Sequence, residues 1–175
     1  ARARRDGRVG AEADWPDAEG VEGLQDDGVL SVPAPRQIST FDALLTEARA
    51  VVAEAPNGFG WAMAHCAQSI DCSIDGFPKP AAWPVRAFIG PMVLKKFLKQ
   101  GFMRHDTKAP VPGVASPDQN LSAAEGLAKL EAAIARFKSH SGPLAPHFAY
   151  GQVSKAAYEA VHAMHAANHL HTLFV

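Results

Sequence analysis

The chain has little with which to build several common kinds of site. Only two cysteines occur in 175 residues, Cys66 and Cys72. Within one helix a six-residue step is roughly 9 Å along the axis, beyond disulfide reach, so both are expected as free thiols. Free thiols favour a reducing compartment, here the cytoplasm, with an exported form trimmed of its signal as the alternative. Charge is also scarce and nearly balanced, at 20% of residues and a net −1, which argues against bulk attraction to nucleic acid or anionic lipid. No apolar run approaches the ~20 residues of a membrane-spanning helix, and the best one is cut by Gly90 and Pro91. A glycine-rich phosphate loop, a paired-carboxylate site and a serine triad are all missing. What remains is a chain that is 47% hydrophobic and long enough to bury one proper core.

Against these absences stand eight histidines. His165 and His169 are four apart in a helical stretch and so project roughly 40° from each other, close enough for two imidazoles to grip one ion. His65 lies far earlier, in an apolar helical stretch, and becomes a third ligand only if the fold stacks its helix on the last one. Three imidazoles would leave a coordination position for water or substrate. The plainer alternative is a set of hydrogen-bonded core histidines, since pairs at this spacing also arise by chance.

Two regions differ in composition. Residues 1–36 form an irregular N-terminal arm with Arg2, Arg4, Arg5 and Arg8, then eight acidic residues from Asp6 to Asp27, and almost no apolar periodicity. This arm is expected either to pack on the remainder, starting at Trp15 and Leu24, or to lie on another chain. Residues 37–175 read as helical throughout. Ser39 or Thr40 caps a first helix with Phe41, Leu44, Leu45, Ala48, Val51 and Val52 on one stripe, ended by Pro56-Asn57-Gly58. A second runs from about Phe59 to Asp75. Pro84 opens a third, from Val85 to about Gln100, with a kink expected near Gly90-Pro91. After a proline-rich loop, Ser122 and Glu125 form a capping box for a fourth helix. Ser154 begins the last, which runs to the C-terminus. The fold class is therefore all-α, a helical bundle with a long crossover loop.

On the last helix Tyr158, Val161, His162, His165, His169 and Thr172 share a side, and their apolar neighbours make it the buried one. Near a metal the candidates for acid or base are His162, Tyr158 and the loop residue His147, because Asp71 and Glu159 project away from the ligand faces. Cys72 is read as an inert buried thiol rather than a thiolate. Lys95, Lys96, Lys99, Arg104, His105 and Lys108 form a basic patch at the end of the third helix, where cations suit the helix dipole. No reader motif accompanies it, so nucleic acid is not an expected partner.

Several stretches occur together in a fixed order: Gly60-Trp61-Ala62-Met63-Ala64-His65-Cys66-Ala67-Gln68-Ser69-Ile70-Asp71, Gly76-Phe77-Pro78, Phe88-Ile89-Gly90-Pro91, Pro146-His147-Phe148-Ala149-Tyr150-Gly151 and His165 with His169-Leu170. In these the chain resembles an uncharacterised bacterial subfamily of the DinB-like (YfiT-like) superfamily of metalloenzyme-related proteins, over roughly residues 37 to 175. The resemblance implies an up-down four-helix bundle with a long crossover loop, an extra helical segment and the N-terminal arm outside it. It also implies one divalent transition metal, zinc, nickel or iron, held by His65, His165 and His169. Hydrolysis or thiol transfer on a small-molecule substrate would suit such an ion. Three readings follow: a metalloenzyme, a non-catalytic metal-binding or accessory subunit in a homodimer or larger assembly, and a bundle whose histidines are only structural.

Overall fold

The structure, a computed structural model, describes residues 37–55 and 58–171. The arm 1–36 with Trp15 and Leu24, the turn residues Pro56 and Asn57, and the tail 172–175 with Thr172 lie outside the described residues, as does the side chain of His171. Among the described residues the chain is all-helical, with five α-helices and no strand. They are α1 (Phe41–Glu54), α2 (Gly60–Asp75), α3 (Gly90–Gln100), α4 (Ala123–Ser139) and α5 (Lys155–His171).

Local chemistry sets most of these bounds. Thr40 caps α1, its hydroxyl accepting from the Ala43 N–H at 3.3 Å. The neighbouring Phe41 N–H, unpaired within its own helix, donates to Glu159 Oε1 of α5 at 3.1 Å. Glu159 thus faces α1 and not the histidines. Ser122 and Glu125 form the full capping box of α4, and Ser154 Oγ accepts from Ala157 N–H at the start of α5. The break expected at Gly90-Pro91 takes a specific form. Val85–Ile89 is a wide π-helical turn that runs directly into α3, with the Gly90 N–H donating to Val85 O. Proline at 91 cannot donate to the preceding turn, which makes this the point where the hydrogen-bond register changes without loss.

The main core draws on four helices. Phe41, Leu44, Ala48 and Val51 of α1 meet Met63, Cys66 and Ile70 of α2, Leu130, Ile134 and Phe137 of α4, and Tyr158, Ala163 and Ala166 of α5. Each large apolar side chain buried here contributes about 1.5–3 kcal/mol of transfer free energy. The contacts run α1 to α4, α4 to α2, α2 to α5 and α5 back to α1, so the four helices close a ring. The α2–α4 contact is the most extensive, and two glycines mark its closest approach. A Cβ on Gly126 would stand 2.4 Å from the Gly60 carbonyl oxygen, and one on Gly60 would stand 2.0 Å from that of Leu121. Only hydrogen fits at either position. Arg136 of α4 then reaches Asp71 and Asp75 of α2 at 2.8 and 2.6 Å across the exposed rim. Helix α3 sits outside this ring against α5, where Leu94 and Phe97 join a smaller cluster of Met103, Val161 and Met164.

Candidate metal centre

The packing of α2 on α5 brings His65 to the terminal pair. Ring centroids lie 5.3 Å apart for His65 and His165, 4.8 Å for His65 and His169, and 4.8 Å for His165 and His169. One nitrogen from each falls within 4.8 Å of the other two, an arrangement that could hold a metal ion. The Nε2 atoms of His165 and His169 face each other at 3.1 Å. In a tetrahedral site with ~2.05 Å bonds, ligand nitrogens stand about 3.3 Å apart, so this pair already has the required separation. His65 Nδ1 is buried and has no hydrogen-bond partner. A buried bare imidazole nitrogen is costly in an apolar setting and is the natural complement of a cation.

His65 and His169 are buried, 3% and 2% exposed, while His165 is half-buried. Trp61, one turn before His65, stacks on it at 5.2 Å and walls the site, with His169 tilted beneath at 6.2 Å. Desolvation, with a smaller contribution from His105, lowers the His65 pKa to about 4. The same causes, together with His65, take His169 to about 3. His165 is held well below the ordinary value by burial and by its four histidine neighbours. All three rings are therefore neutral at neutral pH, the state in which imidazole binds metal.

The acid–base candidates form an aromatic stack of their own, and of the three only His162 acts on the cluster, lowering the His165 pKa. His162 lies parallel to Tyr158 at 5.2 Å and to Phe41 at 6.5 Å. The Tyr158 hydroxyl donates to the Ala145 carbonyl at 2.8 Å. His147 stacks on Tyr150 at 4.2 Å, and its Nδ1 accepts from the Ala149 and Tyr150 N–H groups, which shapes the turn before α5. Of the three, His162 alone has a buried nitrogen, Nε2, without a partner. Cys66 and Cys72 are free and buried, and burial raises both thiols, Cys72 to about 11. Neither is a thiolate at neutral pH.

Sequence patterns missed His105. It belongs to the loop after α3, where it reads as one cation of a basic patch, yet its ring lies 4.6 Å from His165 and 5.2 Å from His169. No periodicity marks a ligand in a loop. A surface groove of about 520 Å³ opens elsewhere, between α2 and α4 beside Gln68, Leu121 and Lys129, and none of the described histidine side chains lines it.

A family model matches residues 38–174, that of a protein of unknown function, DUF1569. The chain belongs to this family. No curated protein and no solved structure matches it significantly. The match spans all five helices of the DUF1569 chain, and with them His65, His105, His165 and His169.

Proposed function

We propose that this DUF1569 chain is a DinB-like bundle in which His65, His165 and His169 hold one divalent transition metal, zinc, nickel or iron. The observation that carries this reading is the meeting of two helices distant in sequence at a point where His165 and His169 present facing nitrogens 3.1 Å apart and His65 adds an orphaned one. The closed ring of α1, α4, α2 and α5 supports the bundle part of the reading. When bound, the ion would lower the pKa of a coordinated water or thiol and polarise a carbonyl, as metal-dependent hydrolysis or thiol transfer on a small molecule requires. The chain's own contribution is orientation and exclusion of water: Trp61 stacks over His65 on one side, and the neutral imidazoles need no deprotonation to bind. His162, Tyr158 and His147 are the proposed proton-handling groups, with His162 foremost because its Nε2 is uncommitted.

A second reading is a non-catalytic metal-holding subunit of a homodimer or larger assembly. It is favoured by the burial of His65 and His169, by the groove lying elsewhere, and by the exposure of Trp83, Phe88 and Met92 around the start of α3. Both readings require the metal. Elemental analysis of protein purified without any metal-affinity step should find about one ion per chain, and His165→Ala should remove it. Equal metal content in the two proteins would overturn the ligand assignment. If metal is present, turnover of ester or thiol-transfer probes by the loaded protein separates enzyme from subunit.

A further inference from the structure

His105 has the two properties of a metal ligand that the three helical histidines share only in part. Its Nδ1 is 3.0 Å from the Asp106 carbonyl oxygen. A carbonyl can only accept, so Nδ1 carries the proton and Nε2 carries the lone pair. That Nε2 is buried and has no hydrogen-bond partner. Fixing the tautomer through a backbone carbonyl on the far nitrogen is how proteins present the near nitrogen of a histidine to a cation. The ring, meanwhile, is packed against both His165 and His169.

The loop that carries it is tied down on both sides. Gly101, with φ +76°, ends α3 in the left-handed conformation and turns the chain towards α5. Met103 is buried against Val161 and Met164 of α5. The His105 carbonyl accepts from Asn168 Nδ2 at 3.3 Å, and Asn168 immediately precedes His169. The side chain is thus positioned from the same helix that supplies two of the other imidazoles.

We infer that His105 is the fourth ligand, its Nε2 completing a four-imidazole site with His65, His165 and His169. The inference rests on the proposed three-histidine site and adds to it. Three ligands sit on α2 and α5, and the fourth sits on a loop. The loop ligand is the exchangeable one, because it can leave without breaking a helix. Such a site would be closed at rest, and a substrate would reach the ion by displacing His105.

Cobalt(II) substitution tests this without reference to turnover. Wild-type protein loaded with Co²⁺ should show the intense visible bands of a four-coordinate ion. His105→Ala should still bind one Co²⁺ per chain, at least about tenfold more weakly, with weaker bands reporting a higher coordination number filled by water. Asn168→Ala, which frees the loop but keeps the ring, should lower affinity less. His105→Cys gives a positive signal: a thiolate at this position in contact with the ion adds a near-ultraviolet sulfur-to-cobalt charge-transfer band that the wild type lacks. Unchanged affinity and spectrum in His105→Ala, or no new band in His105→Cys while His165→Ala abolishes binding, overturns the fourth ligand and leaves the three-histidine site standing. Failure of the wild type to bind Co²⁺, Zn²⁺ or Ni²⁺ overturns both.

Discussion

Zinc should stabilise this protein, and His165→Ala should erase the effect. In the metal-free state the rings of His65, His105, His165 and His169 stand side by side, and His65 Nδ1 and His105 Nε2 lack partners. An ion that engages them binds the folded chain alone, since the unfolded chain scatters residues 65, 105, 165 and 169. Linkage then adds RT ln(1 + [Zn]/Kd), or about 2.7 kcal/mol at a hundredfold excess over Kd. For a folding unit on the order of 140 residues, with an unfolding entropy of ~2.1 cal/mol/K per residue, this amounts to a Tm increase of roughly 9 °C. The increase should grow with the logarithm of zinc concentration and be reversed by a chelator. Differential scanning calorimetry of chelator-treated protein, with and without Zn²⁺, reads it directly. In His165→Ala the facing pair of nitrogens is gone, so the zinc-dependent shift should fall below about 2 °C even though the variant's own Tm changes. A zinc shift of equal size in wild type and variant would refute the reasoning, because the stabilising ion would then be bound elsewhere.

Other outcomes follow from the same geometry. Gly126→Ala places a Cβ within 2.4 Å of the Gly60 carbonyl, and the α2–α4 seam should open at a cost of about 1–3 kcal/mol, read as a lower urea midpoint. An unchanged midpoint would show that the seam has slack. Metal-free protein should weaken in acid. His147 and His162 have folded-state pKa values lowered by burial to about 3, below the ordinary 6.5, so the unfolded chain takes up protons first. Stability is intact above pH 6.5 and declines as pH falls towards 3, by roughly 1.4 kcal/mol per pH unit per ring. His162→Phe should flatten that decline between about pH 6.5 and about pH 4.5; an identical slope would count against burial of the neutral ring. Tyr158→Phe removes the hydroxyl that donates to Ala145, so it should cost about 1 kcal/mol and leave metal content unchanged. Loss of metal in that variant would place Tyr158 at the ion.

Much of the fold was legible in the sequence because it is written in local chemistry. Thr40, the Ser122–Glu125 box and Ser154 mark helix starts through hydrogen bonds that span three or four residues, and the structure contains those bonds. Of the stripe Phe41, Leu44, Leu45, Ala48, Val51 and Val52, four side chains are buried as their spacing predicts, while Leu45 and Val52 are only partly buried at its edge. The pairing of His165 with His169 is likewise local, a consequence of 3.6 residues per turn. The π-helical turn at Val85–Ile89 was visible only as a break at Gly90-Pro91, since proline announces a lost donor but not the register that replaces it.

Tertiary structure alone decided the remainder. Whether His65 meets the terminal pair depends on the order of helices around the ring, and that order depends on contacts such as Gly60 against Gly126 that no single-segment pattern encodes. His105 depends on it still more, because a loop residue has no period to reveal its direction, and only the anchoring of Met103 and of its own carbonyl on α5 turns its ring inward. Local hydrogen bonding and helical periodicity are properties of neighbours in sequence. A four-imidazole cluster is a property of neighbours in space.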